Sequence, residues 1–66
     1  MRKYIVRGRS EDGLMYWMGI GWAHEKRAAT RLTETEAEDV IALQRVNNKQ
    51  GGPDAFRLYQ LTIVEL

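Results

Sequence analysis

Residues 33–44, TETEAEDVIALQ, carry the strongest structural signal in the chain and predict its one helix. Thr33 followed three residues later by Glu36 is a capping box: the hydroxyl accepts from the Glu36 amide while the carboxylate reaches back to the Thr33 amide. Glu34, Glu36, Glu38 and Asp39 crowd the first turns, where the helix dipole favours negative charge. At about 100° per residue, Ala37, Val40, Ile41, Leu43 and Gln44 share one broad stripe, which is expected to face a sheet. The helix is expected to end near Asn47, with NNKQGGPD as a flexible loop. One helix covers only one face of a sheet. The second face must be polar, bind something, or pair with another copy.

The segments around the helix read as strands. In KYIVRG, residues 3–8, Tyr4 and Val6 point to one face and Ile5 and Arg7 to the other. RSEDG is turn chemistry ending in a glycine, and LMYWMGIGW then reads as the returning strand of a hairpin. Alternation along that strand puts Tyr16, Met18, Ile20 and Trp22 on one face, expected to pack on the helix. Met15, Trp17, Gly19 and Gly21 fall on the other, leaving a bare strip beside Trp17. AHEKR is polar and reads as loop. AATRL, residues 28–32, is either a short third strand or the lead-in to the helix. In the last segment Phe56, Leu58, Thr62, Val64 and Leu66 alternate with Arg57, Tyr59, Leu61, Ile63 and Glu65. With large apolar groups on both faces, it reads as a central strand, or one with its second face in an interface. The expected fold class is α+β: a small antiparallel sheet, β-β-(β)-α-β, with one helix packed on one face.

Sixty-six residues make a single domain over 1–66. Such a chain holds a margin of roughly 3–5 kcal/mol from one core. It has no cysteine, which removes disulfide and thiolate chemistry and fits the cytosol. The apolar stretch behind the basic start is only Tyr4 to Val6, too short for a secretory signal, and no run is long enough to cross a membrane. The expected place of work is the cytoplasm, with no membrane partner.

Net charge is +1, which gives no general attraction to nucleic acid, but the charge is unevenly spread. Residues 1–33 carry seven Lys and Arg against three acids, and residues 34–66 carry three against six. A basic face and an acidic end are expected.

The candidate recognition residues are Trp17, Trp22, Tyr16, Arg7 and Arg9. A core this small does not easily hide two tryptophans, and an exposed Trp or Tyr beside arginine is a good anchor. Arg27 and Arg31 are candidate phosphate or nucleotide contacts, which need an aromatic nearby on which a base can stack. The acidic cluster is explained by capping and the dipole and is not a metal site. His24 beside Glu25 lacks a nucleophile and an orienting partner, and the chain has no zinc motif, P-loop or dinucleotide fingerprint. No catalytic set, metal or cofactor is expected. Ala42 and Val46 fall on the helix face away from the core stripe. With a last strand apolar on both faces, they raise a homodimer as an alternative.

Tyr16, Trp17, Gly19, Gly21 and Trp22, then Ala29, Arg31, Leu32 and Thr33, then Glu36 and Ala37, form an ordered pattern over roughly residues 3–64. This pattern resembles a type of small β-β-α-β protein encoded in bacteriophages and prophages. The resemblance implies action by binding, including inhibition of bacterial immune systems, in the host cytoplasm. The leading expectation is therefore a non-enzymatic accessory protein docking on a host protein. The alternatives are a nucleic-acid or signalling-nucleotide binder using an arginine and aromatic surface, and a structural homo-oligomer.

Overall fold

The computed structural model describes residues 2–52 and 56–66. Its elements are β1 (Tyr4–Ser10), β2 (Gly13–Trp17), β3 (Trp22–Ala23), a 3₁₀ turn (Lys26–Ala28), α1 (Glu34–Gln50) and β4 (Tyr59–Glu65). The strands form one antiparallel sheet in the order β3-β2-β1-β4, with α1 against one face. This is the expected α+β class. The loop expected at residues 47–54 and the start of the last strand fall partly on residues 53–55, which lie outside the described residues.

The start of α1 follows from its capping box. Thr33 Oγ1 accepts from the Glu36 amide at 3.2 Å, and Glu36 Oε1 accepts from the Thr33 amide at 2.9 Å. The Thr33 backbone N–H, then the Thr33 hydroxyl, hold the Glu36 carboxyl below its ordinary value. A depressed carboxylate stabilises the fold above its unfolded pKa, and that contribution is lost as pH falls through the folded one. The melting temperature of Glu36→Gln should therefore converge on that of the parent chain under acid and fall below it at neutral pH. Parallel thermal melts across that range check this.

The helix runs on to Gln50, past the expected stop near Asn47, because its end is well tied. The Gly51 N–H donates to the Asn47 carbonyl, and Arg57 donates to the carbonyls of Asn48 and Gly51 at 3.2 and 2.8 Å. Of the expected stripe, Ala37, Ile41 and Gln44 are buried and Val40 is half-buried. Leu43 stays 59% exposed, because α1 lies over β1 and β4 and turns that flank off the sheet.

Val6, Leu32, Ala37 and Ile41 form the core between helix and sheet, with Tyr4, Trp17, Trp22, Leu61 and Ile63 packed around them. Tyr4 and Val6 face α1 as the alternation of β1 requires. The AATRL segment is the lead-in rather than a strand. Its backbone touches the sheet through the bridge of Leu32 to Tyr4, made by bonds of 2.8 and 2.9 Å, and through the Thr30 N–H on the Trp17 carbonyl at 2.8 Å.

The returning strand departs from expectation. LMYWMGIGW is two strands, with a turn between them. Met18 N–H donates to the Gly21 carbonyl, and Gly19 sits at φ +97 with Ile20 at the tip, 92% exposed. A positive φ at the first central residue of a two-residue turn is the glycine position of a type II′ hairpin. The turn resets the alternation. Trp17 pairs with Trp22, so both tryptophans share the α1 face, their rings 5.4 Å apart and inclined at 64°. Tyr16, paired with Arg7, takes the other face. The expected assignment of Trp17 to the open face, and of Tyr16 to the helix side, is thus reversed by the register of β2 against β1, while the turn decides the face of Trp22.

The last strand is also re-phased. It is an edge strand, not a central one. Arg7 pairs with Thr62 but Arg9 with Tyr59, so Gly8 lies opposite an extra residue on β4, where Gln60 adopts φ +53. The bulge sends Leu58, Leu61 and Ile63 toward α1 and leaves Tyr59, Thr62 and Val64 on the far face. Leu58 is fully buried over Gly8, where an added Cβ would stand 3.3 Å from its Cβ and 3.0 Å from Leu61 Cδ2. Only glycine lets the leucines pack so closely on β1.

Candidate binding face

The sheet face away from α1 is built from alternate residues of three strands. β1 contributes Ile5, Arg7 and Arg9, β2 contributes Leu14 and Tyr16, and β4 contributes Tyr59, Thr62 and Val64. Directly paired residues share a face with Cβ atoms about 5 Å apart. Arg7 therefore stands between Tyr16 and Thr62, and Arg9 between Leu14 and Tyr59. The bulge also delivers Gln60, whose Oε1 accepts from Arg9 Nε at 3.2 Å. Tyr59 is 58% exposed and Arg9 is exposed.

At the Ile5 end the face deepens. Ile5 is 2% exposed although no α-helix covers this side. It sits among Lys26, Arg27, Ala29, Arg31 and Leu66, which with it line a cleft of about 410 Å³. Two local features build the cleft. The 3₁₀ turn folds Lys26 and Arg27 back, and the Thr30 N–H donates to the Trp17 carbonyl at 2.8 Å, which fixes the lane that carries Ala29 and Arg31. The C-terminal Leu66 is held by its N–H on the Lys3 carbonyl at 2.9 Å. Arg27 is paired with Glu25 at 2.7 Å. Among the described residues the ion pairs are this one and Arg2 with Glu65, so Arg7, Arg9 and Arg31 carry no carboxylate partner there. The acids Glu34, Glu38 and Asp39 are exposed on α1, in the opposite layer. The start of α1 is thus acidic and the far sheet face basic, while Arg45 and Lys49 lie further along α1 and Glu25 stands at the cleft.

The candidate residues read from the sequence are split by this arrangement. Arg7, Arg9 and Tyr16 converge on the basic face, and Arg27 and Arg31 meet at its cleft. Trp17 and Trp22 lie on the other side, in a groove of about 530 Å³ shared with Val40, Leu43, Gln44 and Phe56. The cleft that Arg27 and Arg31 share has no aromatic side chain in its lining. Tyr59, Ile5 and Leu66 were not singled out beforehand. For Ile5 the alternation of β1 was the available signal, while Tyr59 was hidden by the bulge. The His24 ring contacts the Leu14 carbonyl through Nδ1 at 3.2 Å, and among the described residues no carboxylate pairs with it. Among the described residues no group of three His, Asp or Glu side chains is placed to hold a metal ion, and no helix is long and apolar enough to cross a membrane.

Comparison with protein-family models, curated proteins and solved structures finds no match to this chain. Its class is defined by its own architecture: an antiparallel sheet with an acidic helix on one side and an arginine and tyrosine face on the other.

Proposed function

We propose that this chain is a small non-enzymatic binding protein that docks an acidic surface of a host protein on the sheet face away from α1. The observation that carries the reading is the cross-strand placement of Arg7 beside Tyr16 and Arg9 beside Tyr59. Arginine and tyrosine are the residues that interfaces concentrate and that dominate binding energy, whereas lysine is depleted there. The middle of this face holds the first two types and no lysine. The resemblance to small phage-encoded proteins supports the same reading and gives the partner's setting, a bacterial host whose defence proteins are candidates.

Pull-down from bacterial lysate tests it. The double variant Arg7→Glu, Arg9→Glu should retain about tenfold less of the captured protein than the parent chain. Glu34→Lys with Glu38→Lys, on the opposite layer, should retain as much as the parent. Equal retention by all three chains would refute the face.

Single-stranded nucleic acid is the second reading. It is favoured by the same pairing of a guanidinium with an aromatic ring on an open sheet. It requires affinity for oligonucleotides that falls steeply with salt. The acidic helix and a net charge of +1 work against it.

A further inference from the structure

The cleft over Ile5 deepens the docking reading, and this inference rests on it. We infer that the partner presents an extended acidic segment in which one apolar side chain enters the cleft while flanking carboxylates meet Lys26, Arg31 and, further along, Arg7. The chemistry of the lining sets the occupant. Ile5, Ala29 and Leu66 form an aliphatic floor and walls, and at the rim Arg27 is paired with Glu25, which leaves Lys26 and Arg31 as the rim's cations without a carboxylate among the described residues. An apolar floor within a basic rim matches an apolar group carried between negative charges. The lining has no aromatic ring on which a base would stack, which favours a peptide over a nucleotide.

The geometry also sets the length. Ile5 and Arg7 are alternate residues of one strand, so the cleft lies about 7 Å from Arg7. Two residues of an extended peptide span that distance, so a pentapeptide anchored at its centre reaches Arg7 on one side and the cleft rim on the other. Such a peptide alternates its side chains, so that an apolar anchor and acids two residues away fall on the same side, matching Ile5 and Arg7 in turn. The volume of about 410 Å³ accommodates one leucine-sized side chain with room for its flanking backbone.

The probe is a capped synthetic peptide, Asp-Glu-Leu-Asp-Glu, titrated into the full chain and followed by amide NMR shifts. Its Leu→Ala form and an oligo-dT strand are titrated in parallel. The expected result is shifts at Ala29, Arg31 and Leu66 together with Arg7, affinity at least tenfold weaker for the Leu→Ala peptide, and loss of the cleft shifts in Arg31→Glu. Shifts confined to Arg7, Arg9 and Tyr16, with equal affinity for both peptides, would overturn the anchor in the cleft and leave the docking face standing. Tighter binding of oligo-dT than of either peptide would overturn the peptide occupant in favour of nucleic acid. No shift with any probe would overturn both the anchor and acid recognition by the face.

Discussion

Asn48→Ala is expected to destabilise the domain by about 2–4 kcal/mol, which is comparable to the whole margin of a core this size. Asn48 does for the C-terminal segment what a neighbouring strand would do. Its Nδ2 donates to the Leu58 carbonyl at 2.6 Å and its Oδ1 accepts the Leu58 N–H at 3.2 Å, so one side chain satisfies both polar groups of a fully buried residue. The same Oδ1 accepts from Nε2 of Gln44, a residue 6% exposed, at 2.9 Å. Alanine would leave the Leu58 backbone and the Gln44 amide without these partners at once. Each buried polar group so abandoned costs about 1–3 kcal/mol, discounted here because Asn48 is half-buried and water reaches part of the site. It would also loosen Leu58 over Gly8, the contact that re-phases β4. Urea denaturation checks this, with Asn47→Ala as the control. Asn47 is exposed, its carbonyl accepts from the Gly51 N–H, and among the described residues its side chain makes no hydrogen bond, so that variant should lie within about 0.5 kcal/mol of the parent. Similar losses for both would mean that the clamp contributes nothing of its own.

The reach of the sequence is uneven for reasons these residues make plain. The start of α1 was legible because capping is local: Thr33 and Glu36 are three residues apart and satisfy each other. The facing of β1 was legible because nothing interrupts its alternation. The facing of Tyr16, Trp17 and Trp22 was not. Four residues between the tryptophans look the same whether the strand continues or turns, and an unbroken alternation puts the two rings on opposite faces. The positive φ at Gly19, which sequence leaves as one choice among several, decides for the turn and so for the face of Trp22, while the sides taken by Tyr16 and Trp17 are set by the pairing of β2 with β1. The bulge at Gln60 is a still weaker signal, since glutamine has no preference for φ > 0 that would mark it. The Asn48 clamp spans ten residues and joins a helix to a segment with no regular partner. Neither local propensity nor periodicity encodes that. For the binding face, the arginines were visible as a charge imbalance. Their convergence with two tyrosines depends on the β1–β2 register for Tyr16 and on the bulge for Tyr59, and so was only partly visible.

Trp17 and Tyr16 are neighbours whose substitutions should have opposite consequences, and this pair tests the register of β2 against β1 directly. Trp17→Ala is expected to lower stability by about 2–3 kcal/mol. That is less than the 3–5 kcal/mol typical of a fully buried tryptophan, because Trp17 is half-buried. The loss comprises its packing on the core and its edge-to-face contact with Trp22, with ring centroids 5.4 Å apart. Partner capture per folded molecule should be unchanged, because the ring lies on the α1 side. Tyr16→Ala should cost about 1 kcal/mol or less, the worth of a cross-strand pair, here with Arg7. The same variant should sharply reduce partner capture, because that ring belongs to the basic face. Thermal melts and capture assays on the two variants separate the alternatives cleanly. If β2 were shifted by one residue against β1, Tyr16→Ala would be the destabilised chain and Trp17→Ala the one that loses its partner. The opposite pattern ties the register of β1 with β2, which sets Tyr16 beside Arg7, to the residues that recognise the partner.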